Sequence, residues 1–193
     1  MQGEKLHILD LKDLILLGDH NVENVLAACA ISYYMGIPIP VIEKVATSFK
    51  AVEHRIEYVD TIDGVDYYND SKGTNPDAAI KGIKAMVKPT YLIGGGYDKG
   101  SEYDEWINAF DGKVKELILI GQTADKIEAC AHKLGFMNTV KLDNLEEAVK
   151  HCHDKAENGD AVLLSPACAS WGQFDNYEQR GRMFKEYVLS FKE

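Results

Sequence analysis

From Thr90 onward, short aliphatic and β-branched runs alternate with helix-length segments, and this alternation limits the fold more than any other feature. Thr90–Ile93, Glu116–Ile120, Thr139–Leu142 and Ala161–Leu164 read as strands. Tyr103–Phe110, Thr123–Leu134, Leu145–Glu157 and about Asn176–Phe191 read as helices. Strands spaced by helices of about 10–15 residues cannot pair as hairpins. They need crossover connections, which give a parallel sheet with helices packed on it. Just upstream, Ile56–Val59 and Val65–Tyr68 flank Asp63-Gly64, a hairpin signal. Asn75 is placed to cap a helix with Pro76 at its first position, running to about Val87. The expected fold class is therefore α/β: a Rossmann-like, mostly parallel sheet flanked by helices.

The first fifty residues follow a different pattern. Lys5–Leu17 alternates apolar and polar and reads as one or two short strands. Val22, Val25, Leu26, Cys29, Ala30 and Tyr33 recur at helical spacing in an Ala-rich run that ends at Gly36, which reads as a well-buried helix. Pro38 and Pro40 open a second helix to about Phe49. Two helices and an edge strand bury too little to stand as a domain. This first stretch thus reads as the tail end of something larger. Cut from its neighbours, the first segment is expected to leave apolar helix surface uncovered.

Charge narrows the partners. With 21 Lys and Arg against 31 Asp and Glu, the net charge is −10. Such a surface argues against nucleic acid or an anionic membrane held by bulk charge, but not against an anionic ligand gripped by a few local cations. No window approaches the roughly 20 apolar residues of a membrane span, and Met1–Lys5 does not open a signal peptide. The four cysteines, Cys29, Cys130, Cys152 and Cys168, form no C-x-x-C pair. They read as structural thiols of a cytoplasmic protein. His151-Cys152-His153 is not expected to bind metal, because adjacent helical residues point about 100° apart and do not converge. No metal site is expected within the chain.

A parallel sheet binds ligands at the carboxyl ends of its strands. Four polar segments fall there: Asn69–Asn75, Gly94–Gly100, Gly121–Thr123 and Ser165–Tyr177. Asp70-Ser71-Lys72-Gly73-Thr74-Asn75 puts a carboxylate, a lysine and hydroxyls before a helix N-terminus, which suits either an anion site or a capped loop. Gly94–Gly100 lets backbone approach a ligand and presents Lys99, but is neither a dinucleotide fingerprint nor a phosphate-binding P-loop. Ser165–Trp171 contains no G-x-S-x-G elbow, and no base is placed to make Cys168 a nucleophile. Asn21 and Asn24 read most simply as capping groups.

In their order along the chain, these segments resemble the Mur ligase family. They are His20–Ala28, Glu53–Glu57, Tyr68–Pro76, Gly94–Gly100, Leu164–Ser170 and Gln173-Phe174 with Gln179-Arg180-Gly181. The resemblance spans the chain from about residue 4. The Ser-Pro-Ala-Cys-Ala-Ser segment points to the D-glutamate-adding members. It implies an ATP-dependent ligase with Mg2+ that adds D-glutamate to UDP-N-acetylmuramoyl-L-alanine through an acyl phosphate in peptidoglycan synthesis. Alternatives are another ligase of the same superfamily, such as a folylpolyglutamate synthase, or a non-catalytic α/β binding module. The sequence has no G-x-x-x-x-G-K-[ST]. The resemblance therefore implies a fragment: residues 1–56 as the end of the central ATPase domain, residues 57–193 as the C-terminal amino-acid-binding domain, and no activity alone. It assigns Lys72 and His54 to catalysis, and Asn21, Asn24, Arg55 and Asp70 to ATP. Thr74, Lys99, Ser170, Trp171 and Tyr177 would hold D-glutamate. Trp171 and Tyr177 stand where other members often carry Leu and Phe.

Overall fold

The computed structural model describes residues 6–192. The chain divides into two compact units, Met1–Ala51 and Val52–Glu193.

The first unit holds helices α1 (Asp19–Tyr34) and α2 (Ile39–Ser48), packed on each other. Among its described residues the expected strand in Lys5–Leu17 is absent; a 3-10 turn at Leu11–Asp13 takes its place, and Lys5 lies outside the described residues. Alternation prepares a strand, but a strand needs a partner for its backbone groups, and the described residues of this unit offer none. The expectation that α1 is well buried also fails: Leu26 is 61% exposed and Tyr34 88%. Only Asn21 and Cys29 are buried on that helix. Neither Asn21 nor Asn24 is the N-cap. Gly18 is, with φ +90°, while Asn21 sits in the first turn and donates to the Leu17 carbonyl at 2.8 Å.

The second unit is a six-stranded sheet in the order β1-β2-β6-β3-β4-β5. The strands are β1 (Glu57–Ile62), β2 (Val65–Asn69), β3 (Thr90–Gly95), β4 (Val114–Ile120), β5 (Thr139–Lys141) and β6 (Ala161–Leu164). The helices are α3 (Pro76–Ala85), α4 (Asp104–Asn108), α5 (Ala124–Lys133), α6 (Leu145–Lys155) and α7 (Tyr177–Ser190). The β1–β2 hairpin turns at Asp63-Gly64 and is antiparallel; every other pair is parallel. Asn75, Asn144 and Asn176 each cap a helix by accepting from the amide three residues on.

Register decides which side chains share a face. Tyr91 pairs with Val162, and Ile93 with both Leu164 and Ile118. These residues form one buried layer, covered by Val149 of α6 and Phe184 of α7. The alternate residues Leu92, Leu117, Leu119 and Leu163 are equally buried and face the other way. There Trp106 of α4 lies so close to β3 that a Cβ on Gly94 would come within 2.7 Å of its ring. With both faces covered, the central strands are apolar throughout, and each buried Leu or Ile stabilises by roughly 1.5–3 kcal/mol. Replacing Ile93 by Ala should cost about 2–5 kcal/mol, because close packing on both sides prevents collapse of the cavity. Urea denaturation would show it as a lower midpoint.

Candidate functional site

Three parallel strands end side by side, in the order β2, β6, β3, and the loops leaving them are joined by backbone bonds. The Asp70 amide donates to the Leu164 carbonyl at 2.8 Å, Gly95 to Pro166 at 2.8 Å and Tyr97 to Ala169 at 2.9 Å. Thr123, after β4, donates its amide to the Gly96 carbonyl at 3.1 Å. The glycine run serves this closeness. A Cβ on Gly95 would meet the Ile120 carbonyl at 2.2 Å, and one on Gly96 the Ala169 carbonyl at 2.3 Å. At those two positions the near neighbour is the protein's own backbone, not space for a ligand.

Lys72, on the loop after β2, donates to the Tyr177 hydroxyl at 2.8 Å and lies 4.3 Å from the centre of that ring. Lys99, on the glycine loop, lies 4.7 Å from the centre of the Trp171 indole, and Tyr97 packs edge-on against the same indole at 5.5 Å. Among the described residues four lysines stand over aromatic rings. Lys115 and Lys126 are also paired with Asp160 and Asp98. Lys72 and Lys99 have no carboxylate within 4.0 Å among the described residues. Thr74 is half-buried, Ser170 is buried, and Trp171 is 55% exposed.

Asp70 is only 4% exposed. Its carboxylate accepts from the Ser165 hydroxyl at 2.7 Å and from the Ile56 amide at 3.3 Å. Burial lifts its carboxyl to about 7, against the opposing pull of Ser165, Ile56, Arg55 and Arg180. The Ile56 contact restrains a segment with φ +66° at His54 and +46° at Ile56, conformations unfavourable to residues with a Cβ and more so to a β-branched one. Lys72 helps hold this segment by donating its amide to the His54 carbonyl at 3.0 Å. Arg55 is exposed.

His54 is buried, with its ring edge-on to Tyr177 at 6.0 Å. Its tautomer follows from its neighbours. The Asn69 side-chain oxygen accepts from the Ser71 amide at 3.1 Å, and its nitrogen donates to Glu57 at 3.0 Å. That nitrogen therefore also donates to His54 Nδ1, 2.9 Å away, which leaves the ring proton on Nε2, 3.7 Å from Glu53. Burial is the main cause that pushes the imidazole pKa down. Glu53, His54 and Glu57 present three ligand atoms within 4.8 Å of one another. Lys185 already bridges the two carboxylates, at 2.6 and 3.0 Å.

The structure thus brings together Lys72 with Tyr177, Lys99 with Trp171, and His54 with the loop carrying Lys72. Asn21 and the exposed Asn24 belong to the other compact unit. His151 bonds Glu116 at 2.8 Å, while His153 stacks on Phe191 and meets the Tyr67 hydroxyl at 3.1 Å. Cys168 is buried against Tyr103 and Thr123, and burial raises its thiol pKa. A cavity of about 450 Å3 lies elsewhere, lined by Ile80, Lys84, Glu105, Asn108, Asp111 and Lys113.

Sequence reasoning left one polar group out of the site. Arg180 is 1% exposed; its guanidinium donates to the Ser71 hydroxyl at 2.9 Å, the Ser71 carbonyl at 2.8 Å and the Cys168 carbonyl at 3.2 Å. The signal was present: Arg180, Phe184 and Val188 recur every four residues on the buried stripe of α7.

Lys72 and Lys99 thus stand on loops at the carboxyl ends of the central strands of an α/β unit, the edge where sheets of this topology receive ligands. A family profile described as Mur ligase, glutamate ligase domain, matches residues 54–168, and the chain belongs to the Mur ligase family. A UDP-N-acetylmuramoylalanine–D-glutamate ligase of Lachnospira eligens is 62% identical over 181 residues, 94% of this chain and 40% of that protein. The enzyme of the same name from a Thermoanaerobacter species is 54% identical, over all of this chain and 43% of its own length. The chain therefore spans about two-fifths of the relatives it matches. Among solved structures, the UDP-N-acetylmuramate–alanine ligase MurC of Thermotoga maritima aligns with TM-score 0.69 at 17% identity, covering 92% of this chain and 39% of that one. Folylpolyglutamate synthase from the same organism aligns with TM-score 0.63 at 16% identity, covering 92% of this chain and 40% of that one. At such identities these two establish the fold.

The buried Asp70 carboxyl predicts a pH dependence. An acid whose pKa rises on folding holds its proton more tightly in the folded chain. Its stabilisation is complete below the unfolded value, about 4, and is lost as pH climbs through the folded value of about 7. Asp70→Asn cannot ionise. Its melting temperature relative to the parent should therefore climb between these pH values and then level off. A difference independent of pH would show that this carboxyl does not titrate on folding.

Proposed function

We propose that this chain is the C-terminal part of an ATP-dependent ligase that adds D-glutamate to UDP-N-acetylmuramoyl-L-alanine. In this reading residues 57–193 are the amino-acid-binding domain and residues 1–56 the end of the ATPase domain. The observation that carries it is the pair of lysines at the strand ends, Lys72 and Lys99. In a chain of net charge −10, each rests on an aromatic ring and not on a carboxylate. The relatives named for this reaction agree with it.

In this reading the chemistry is that of the family. The substrate carboxylate takes the γ-phosphoryl group of ATP, the amine of D-glutamate attacks the acyl phosphate, and phosphate leaves. Such a reaction needs positioned reactants and cations near the negative charge, not a side-chain nucleophile. Lys99, Thr74, Ser170, the Trp171 backbone and Tyr177 would hold the dicarboxylate, and Lys72 would approach the phosphoryl group. Each oxygen of Asp70 accepts one bond from the protein, which leaves capacity for ribose hydroxyls. Arg55, Asn21 and Asn24 would face the nucleotide, and His54 would hold the loop that carries Lys72. The Glu53–His54–Glu57 cluster does not suit Mg2+, because Lys185 already supplies its positive charge. In this reading the ion arrives with ATP and is held by other parts of the ligase. Four free thiols and the absence of a membrane-length apolar helix among the described residues agree with a cytoplasmic setting.

Two tests follow. The 193-residue chain alone should show no ligation and only weak ATP binding, since it lacks the P-loop motif; micromolar affinity by calorimetry would contradict this. In the full-length ligase, Lys99→Ala should raise the KM for D-glutamate about ten- to a hundredfold through loss of a charge-assisted bond. An unchanged KM, with ATP binding weakened instead, would move Lys99 to the nucleotide.

A further inference from the structure

We infer that Arg180 is a positioning residue: its guanidinium locks the loop after β2 to the loop after β6 and so sets Lys72 and Thr74 at a fixed distance from Ser170 and Trp171. This inference rests on the ligand assignments proposed above and adds to them a residue that touches no ligand.

The burial of Arg180 is the first argument. A guanidinium removed from water carries a large desolvation cost, and a buried charge is commonly matched by an opposite one. Arg180 has no carboxylate within 4.0 Å among the described residues. Its three bonds go to neutral oxygens, two on Ser71 and one on Cys168. It occupies the stripe of α7 that Phe184 and Val188 share, where an apolar side chain would meet no such cost. The buried Asp70 carboxyl acts on it only at longer range, so a direct ion pair does not explain an arginine there.

Geometry supplies the explanation. The planar fork of an arginine reaches two segments at once with fixed angles, which the point charge of lysine does not. One end of the fork takes Ser71, next to Lys72; the other takes Cys168, two residues before Ser170. Both loops need the clamp. Ala167, next to Cys168, has φ +56°, which opposes this path of the chain. The Ser71 hydroxyl, which accepts from Arg180, donates onward to the Tyr177 carbonyl at 2.8 Å. The same side chain thereby ties the start of α7, and Tyr177 under Lys72, into the assembly. A ligand gripped from both loops is the one whose binding must depend on this bond set.

Arg180→Met, Ser71→Ala and Lys99→Ala in the full-length ligase test it, with steady-state kinetics and thermal melting. Arg180→Met keeps the stem volume and removes the buried charge but leaves the Ser71 and Cys168 carbonyls without these donors, so melting should fall somewhat and the KM is the deciding readout. The KM for D-glutamate should rise about tenfold or more, the size of a lost charge-assisted bond, with a smaller effect on kcat. Ser71→Ala removes one of the three bonds and should give a smaller rise. Arg180→Lys should fail to restore the KM, because the fork is what is required. A lower melting temperature with unchanged KM in Arg180→Met would make the residue structural only and overturn the inference. Should Arg180→Met not fold, Ser71→Ala decides: an unchanged KM there also overturns it. If Lys99→Ala raises the KM while Arg180→Met does not, this inference alone fails. If neither raises it, the D-glutamate assignment fails first.

Discussion

Everything at the carboxyl edge depends on one insertion: β6, the last strand in the chain, pairs in parallel with β2 on one side and β3 on the other. Asn69 and Ile93 both stand opposite Leu164, so β2 and β6 end level with Ile93, two residues before β3 ends at Gly95. The next amides then reach across: Asp70, after β2, donates to Leu164, and Ser165, after β6, donates to Ile93 at 3.2 Å. Without β6, the loops bearing Lys72 and Lys99 would have no common floor. The pairing joins residues about seventy to ninety-five positions apart, so the site can form only after most of the chain is in place.

The strands and helices of residues 57–193 were legible because the apolar periods are strong and the turns carry their own chemistry. Asp63-Gly64, Asn75-Pro76 and Asn176 mark their positions through local sterics and capping, which need no distant partner. Residues 6–17 misled for the opposite reason. Their alternation is a local property, whereas a strand is a paired structure, and no pairing follows from the pattern alone. The Ala-rich run of α1 likewise records a preference for burial, and the covering surface has to come from elsewhere.

The candidate site was legible only in part. Lys72, Thr74, Lys99 and Ser170 lie in polar loops after strands, where a sheet of this topology receives ligands. Which ring supports which lysine was not readable, because Lys72 and Tyr177 are more than a hundred residues apart. The glycine run was open to two readings, and structure divides them: Gly95 and Gly96 are needed against backbone, while a Cβ on Gly100 would meet nothing within 4 Å. Arg180 escaped because a cation on an apolar stripe was absorbed into a motif and not weighed as a buried charge.

The resting partners of the two lysines bear on what the site can bind. A lysine already paired with a carboxylate must break that pair before it serves an anion, so most of the gain is cancelled. An aromatic face holds an ammonium by about 0.5–1 kcal/mol at an exposed position. A charge-assisted bond to a carboxylate or phosphate contributes roughly 1.5–3 kcal/mol. Exchange of ring for anion is therefore favourable, and the ring meanwhile restrains a side chain that would otherwise lose about 2 kcal/mol of rotamer freedom on binding. In the proposed ligase Lys99 can make this exchange from an indole, while Lys72 must also give up its bond to the Tyr177 hydroxyl; Arg180 keeps the two loops in register. Arg180 itself is in no position to exchange, because it is out of reach of solvent and all three of its guanidinium nitrogens already donate to backbone and hydroxyl oxygens. The cations at this edge thus divide by burial: the accessible ones are left free to bind, and the buried one fixes where they stand.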